Sequence, residues 1–241
     1  RSKSTYRKKP YLKNLFVIGF LFGFGFYLSG IYWISYSLTF DESFKILIPF
    51  SLIFIPLFLA LFNGLTILVV GPFLNYNFTS IILFSSFLSL SDYVKSKVLT
   101  GFPWNLWGYS WSWFPEVLQI LNIMGLFAFN LLVISIFVIP AVFFFKINLV
   151  KKICVISSSF LIVFLIYIYG TFSINKNKGL LNYINNSSKV YIKVISPNFE
   201  LKYDTSISEI EDKMRKLIRF SDPDPKKETI FVWPEGVFTG F

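Results

Sequence analysis

The chain reads as a polytopic α-helical membrane bundle followed by the start of an α/β domain. Three observations point there. Of 241 residues 54% are hydrophobic and only 15% are charged, less charge than the surface of a water-soluble domain carries. Five apolar stretches approach or exceed the ~20 residues needed to cross hydrocarbon. Residues 189–241 then change character, with charge, alternation and helix caps in place of long apolar runs. Richness in Phe, Ile, Asn and Lys also fits a biased genome, but such bias does not make long runs without charge.

The expected membrane domain covers residues 1–175, with spans at 15–38, 46–70, 78–99, 117–145 and 153–174. Leu15–Leu38, Ile46–Val70, Val117–Phe145 and Ile153–Ile174 contain no charged residue. The third stretch is apolar to Ser91 and then carries Asp92, Lys95 and Lys97. A linker is expected over 176–188 and an incomplete second domain over 189–241. Position 1 is not Met, and the chain stops at Phe241 soon after Glu235, so it reads as truncated at both ends.

Lys and Arg in the loops set orientation. Arg1, Lys3, Arg7, Lys8, Lys9 and Lys13 open the chain, and Lys146, Lys151 and Lys152 precede the last span. The opposite loops hold only Lys45, Lys95 and Lys97. The start is therefore expected on the cytoplasmic side, and five crossings put the tail outside. The net charge of +10 is mostly this bias, so the basic N-terminus needs no nucleic-acid partner. Gly19 and Gly23 lie four apart in the first span, a spacing that lets another helix approach closely and that a span also tolerates for no reason. Asp92 and Lys95 lie three apart, which puts them on one helix face. A charge beside a span must pair, snorkel or face water, and a structural pair at the outer interface is expected.

The polar break Gly101-Phe102-Pro103-Trp104-Asn105-Leu106 opens an outer loop holding Trp104, Trp107, Trp111 and Trp113. Tryptophans at this density form an interfacial belt. A loop dipping into the outer leaflet to wall a lipid site is compatible with a belt. Pro103 and Pro115 argue against one uninterrupted helix there.

In the tail, Lys189–Ser196 alternates as a strand does, with Val190, Ile192 and Val194 on one face. Ser206-Ile207-Ser208-Glu209 is a capping box opening a helix with Ile207, Ile210, Met214, Leu217 and Ile218 at helical spacing. Asp222-Pro223-Asp224-Pro225 ends it, and Thr229–Trp233 is a second strand. Strand, helix, strand implies a parallel pair. Glu235 then falls just past the carboxyl end of a strand, where α/β sheets gather their sites, although a lone carboxylate after a strand is commonly a solvated loop charge. The absence of His removes Ser-His-Asp chemistry and His ligands from this stretch. The one cysteine, Cys154, sits inside an apolar run and reads as a packing or lipid-facing residue.

Taken together, these features resemble the apolipoprotein N-acyltransferase family, whose members join a membrane bundle to a nitrilase-like αββα domain. Trp233-Pro234-Glu235 looks like the family's strand end holding the first member of a Glu-Lys-Cys triad. Gly101-Phe102-Pro103-Trp104 followed by Gly108-Tyr109 looks like its loop signature, and Gly23-Phe24-Gly25 with Tyr32-Trp33 like its early span. Asp92-Tyr93-Val94-Lys95 stands where Glu-Trp-Leu-Arg is common. Ser196-Pro197-Asn198 departs from the usual Gln, and Tyr203 stands where Trp is common. The resemblance implies transfer of an acyl chain from a phospholipid, through a Cys thioester, to the N-terminal amino group of a diacylglyceryl-modified lipoprotein cysteine. It implies Glu235 as catalytic base, Trp104, Tyr203 and Trp233 toward substrate, and no cofactor or metal. Membrane lipids and an apolipoprotein are the implied partners, and a bacterial inner membrane with the second domain on the periplasmic side is the implied location. The triad's Lys and Cys would lie beyond Phe241, and about two spans before Arg1.

Three other readings fit less well. A transporter predicts ionisable residues at span centres, where this chain has none. A membrane glycosyltransferase wants an Asp-rich metal site, and Asp222 and Asp224 are separated by prolines in a turn. An anchored amidase does not need five spans.

Overall fold

The computed structural model describes residues 9–98, 103–187, 190–199 and 206–234. Its helices are α1 (Lys9–Ile31), α2 (Ile48–Val70), α3 (Phe78–Lys95), α4 (Pro115–Leu118), α5 (Leu121–Val138), α6 (Leu149–Ser187) and α7 (Ile207–Ser221), and its strands are β1 (Tyr191–Val194) and β2 (Thr229–Val232). Short 3-10 turns extend several of them, at Tyr32–Thr39 after α1, Glu42–Leu47 before α2 and Ile139–Phe144 after α5. The chain divides into two compact units. One comprises residues 1–38 and 46–175, the other residues 39–45 and 176–241.

Among the described residues, four helical stretches are long and apolar enough to cross a membrane: Tyr11–Thr39, Glu42–Phe73, Leu121–Phe144 and Leu149–Tyr183. They overlap the expected spans 15–38, 46–70, 117–145 and 153–174. The expected third span, 78–99, differs. Its helix, α3, has 18 residues and is not among the four, because serines and Asp92 dilute its hydropathy. Its buried positions Ser80, Ile81, Ser85, Leu88, Ser89, Asp92 and Lys95 recur every three to four residues, so its polar stripe faces protein. Ser89 donates to the Phe127 carbonyl of α5 at 3.3 Å and Ser91 to the Phe62 carbonyl of α2 at 3.4 Å. The linker expected over 176–188 also differs, since α6 continues to Ser187. No proline interrupts that stretch, and extending a formed helix costs far less than starting one.

The bundle closes on small residues. A β-carbon at Gly19 of α1 would lie 2.7 Å from the Asn63 carbonyl oxygen of α2, and one at Gly23 would lie 2.8 Å from the Asn63 β-carbon. The paired glycines therefore serve a close helix approach. At Gly170 of α6 a β-carbon would overlap the Glu116 carbonyl oxygen of α4. Gly125, at φ 73°, puts a kink inside α5. Large apolar side chains such as Ile18, Leu21, Phe54, Phe160 and Phe164 face outward, as lipid-facing residues do.

In the second unit β1 pairs with β2 in parallel, with Tyr191 opposite Thr229 and Val194 opposite Val232. The intervening α7 begins with the expected capping box. Ser206 accepts the Glu209 N–H, and the Glu209 carboxylate accepts the Ser206 N–H at 2.8 Å. Asp222 ends the helix in the left-handed region, at φ 41°. Ile195 and Leu217 are buried with Phe199, Phe231 and Trp233 around them.

Candidate functional site

The best-defined polar site is built where α1, α3 and α5 meet the loop that follows α3. Lys95, one turn beyond Asp92, donates to the Asp92 Oδ1 at 2.7 Å and to the Tyr27 hydroxyl of α1 at 2.6 Å. Its Nζ also lies 4.8 Å from the centre of the Tyr27 ring. The other carboxylate oxygen of Asp92 accepts from Asn130 Nδ2 at 2.9 Å, and Asn130 Oδ1 accepts the Gly108 N–H at 3.0 Å. Asp92 and Lys95 are each 3% exposed and Asn130 is 0% exposed. Such a network persists in a dry interior only when each polar group has a partner. The pairing of Asp92 with Lys95 was expected from their spacing. Tyr27 and Asn130 were not, because both lie inside charge-free runs. The one signal for Asn130 was an amide in the middle of an apolar stretch.

The described part of the loop starts at Pro103; Gly101 and Phe102 lie outside the described residues. Trp104 packs on a cluster of Tyr27, Ile31 and Leu59, with Phe26, Ile34 and Ile55 beside it. Trp107 stacks on Phe26 with ring centres 4.7 Å apart and planes 13° apart, and meets Phe137 edge-on at 6.1 Å. Trp111 joins the cluster around Val117 and Phe129. Only Trp113 of the four, at 86% exposure, is free to act as a belt residue. Asn105 turns the chain at φ 48° and comes so close to α1 that a β-carbon at Gly30 would overlap its Nδ2. The Tyr109 hydroxyl donates to the Pro103 carbonyl at 3.2 Å and closes the loop on itself. Partial burial pushes the Tyr109 phenol above its ordinary range, and a phenol in or above that range carries its proton at neutral pH. These contacts seat the aromatic loop on α1, α2 and α5.

The other expected site residues fall elsewhere. Trp233 belongs to the second unit, where it lies beside Ile195 and Leu217 and its indole N–H donates to the Ser221 hydroxyl at 3.0 Å. Glu235 and Tyr203 lie outside the described residues. Cys154 is exposed on α6. Among the described residues no group of three or more His, Cys, Asp or Glu could hold a metal ion.

Residues 4–139 match the model of the apolipoprotein N-acyltransferase N-terminal domain. Curated relatives carry the same name. The chain is 27% identical over 232 residues to the apolipoprotein N-acyltransferase of Rhodopseudomonas palustris, covering 92% of this chain and 42% of the relative. It is 29% identical over 219 residues to that of Rickettsia bellii, covering 90% and 42%. It is 35% identical over 160 residues to that of Rickettsia typhi, covering 66% and 32%. The chain thus spans about two fifths or less of the length of these relatives. No solved structure matches it. On the match across more than half its length, the chain belongs to the apolipoprotein N-acyltransferase family.

Proposed function

We propose that this chain supplies the membrane bundle and the opening of the catalytic domain of an enzyme that N-acylates lipoproteins. The family match over residues 4–139 carries the reading. The docked loop of Trp104–Trp111 supports it, since a fixed aromatic wall beside membrane helices suits a lipid substrate.

The proposed reaction is a two-step acyl transfer. A cysteine thiolate attacks the ester carbonyl of a phospholipid, the lysophospholipid alkoxide leaves with a proton, and a thioester forms. The free α-amino group of a diacylglyceryl-modified cysteine then attacks that thioester; the C–S bond breaks as the amide forms, the amine gives a proton to the base, and the cysteine sulfur leaves as the thiolate. Covalent catalysis splits one hard exchange into two easier ones. Glu235 is the proposed base that takes the thiol proton and returns it to the leaving oxygen. The cysteine, and a lysine that would steady the tetrahedral oxyanion, are assigned to the portion of the relatives' length that this chain does not span.

Both substrates hold their acyl chains in one leaflet, and exposing each methylene to water would cost about 0.8 kcal/mol. A site over that leaflet avoids the cost. The proposed topology therefore has five crossings, with α3 as the third. The N-terminus lies in the cytoplasm and the 189–241 domain, the start of a nitrilase-like sandwich, on the periplasmic face of a bacterial inner membrane. Trp104 and, from the second domain, Tyr203 and Trp233 are the proposed lipid-contacting residues.

The test uses the full-length protein, a phospholipid labelled in one acyl chain and a diacylglyceryl-cysteine peptide. Glu235→Gln should abolish label transfer with expression and membrane insertion intact. Wild-type turnover by this variant would remove Glu235 from the mechanism, and accessibility labelling that placed position 235 in the cytoplasm would overturn the topology.

A further inference from the structure

We propose that Asp92 and Asn130 are positioning residues that hold the Trp104–Trp111 loop through the direction of one side-chain amide. The inference rests on the reading of that loop as a wall of the lipid site. A carboxylate only accepts hydrogen bonds. Asp92 therefore obliges Asn130 to turn its NH2 toward α3, where Nδ2 lies 2.9 Å from Asp92 Oδ2. The amide oxygen must then face the opposite way, and there it meets the Gly108 N–H at 3.0 Å. Gly108 is buried, and a β-carbon there would lie 3.1 Å from the Phe129 ring, so the backbone presses onto α5 where this bond forms. Lys95, itself held by the Tyr27 hydroxyl, donates to the other oxygen of the carboxylate and keeps it facing Asn130. Asp92 thus acts on the loop through the Asn130 amide.

Direction makes a distinctive set of variants. In Asp92→Asn, the new amide offers its oxygen to Lys95 and its NH2 to Asn130. Asn130 must turn round to accept, and its own NH2 then confronts the Gly108 N–H. In Asn130→Asp, two carboxylates face each other. In the pair Asp92→Asn with Asn130→Asp, the new carboxylate at position 130 accepts from both the new amide at position 92 and the Gly108 N–H. The loop bond returns although the ion pair with Lys95 is lost.

The experiment is hydrogen exchange of full-length protein in lipid nanodiscs, read by mass spectrometry on peptides covering 104–112, with α1 and α2 peptides as a control for the fold. Asp92→Asn should exchange at least 10-fold faster in the loop. Asn130→Asp should also exchange faster, because its carboxylate is pushed away from Asp92 and so out of line with Gly108. The double variant should return to within about 3-fold of wild type. Loop exchange unchanged in both singles, or a double variant as fast as the faster single, overturns the proposal. Where a single variant fails to fold, the pair still decides: a folded double variant with a protected loop supports the proposal, and one that also fails overturns it. A purely structural ion pair predicts no rescue in the double variant. In the acyl-transfer assay Asp92→Asn should raise the phospholipid KM at least 5-fold more than it lowers kcat. Exchange is read without turnover, so an inactive wild-type protein would sink the acyltransferase reading and leave the exchange pattern to judge this one.

Discussion

Lys95 of α3 donates to the hydroxyl of Tyr27, 68 positions earlier in the chain, at 2.6 Å, with both side chains buried. This bond ties the polar end of α3 to the first helix, and the same lysine closes the ion pair with Asp92. Two substitutions separate its parts. Tyr27→Phe removes one acceptor and should destabilise the bundle by about 1–3 kcal/mol, the cost of a buried donor left short of a partner. Lys95→Met leaves Asp92 buried without a counter-charge and should cost more, about 3–5 kcal/mol. Unfolding of the detergent-solubilised protein, followed by tryptophan fluorescence, checks the order. Equal costs would show that the two bonds do not differ as argued.

The approach of Asn105 to Gly30 gives a second prediction. Gly30→Ala puts a methyl group where Asn105 already lies, so the loop must lift or α1 must shift, with a loss of about 1–3 kcal/mol. Gly25, five residues earlier on the same helix, has nothing within 4 Å of its would-be β-carbon. Gly25→Ala should be neutral or stabilising by up to about 1 kcal/mol, from helix propensity alone. Thermal melts of the two variants in one detergent should therefore move apart, and parallel shifts would count against the close contact.

The capping box of α7 can be tested in the second unit. Ser206→Ala removes the oxygen that accepts the Glu209 N–H and should cost about 1 kcal/mol. Faster hydrogen exchange confined to the first turn of α7 is the expected signature. Exchange spread evenly over the unit would mean that the cap does more than end a helix.

Much of this architecture is legible in the chain because membrane spans and caps are local signals. The charge-free runs mark α1, α2, α5 and α6, and the Gly19/Gly23 spacing, the Asp92–Lys95 face and the Ser206–Glu209 box are each read within a turn or two. Three things are not legible that way. Asn130 and Tyr27 enter the network through partners 38 and 68 positions away, and a run scored only for charge hides a lone amide or phenol. α3 reads as too polar for a span because of its serines and Asp92, and only the fold shows Ser89 and Ser91 bonding α5 and α2. The turn at Gly125 leaves no trace beyond a glycine in a run that tolerates one. For the site itself, Trp104 was legible as part of a loop, but not its seat between α1 and α2.

The contact at Gly170 indexes α6 like a notch on a shaft. A long straight helix is free in principle to slide or rotate by a residue as its surroundings change. Here the Glu116 carbonyl fits only where α6 has no side chain, and the only other such place is Gly179, about 13.5 Å further along the axis at 1.5 Å per residue. A one-residue screw, about 1.5 Å along the axis with about 100° of rotation, would bring Tyr169 or Thr171 to the Glu116 carbonyl. The helix is therefore held at one axial and azimuthal setting by the absence of a single methyl group.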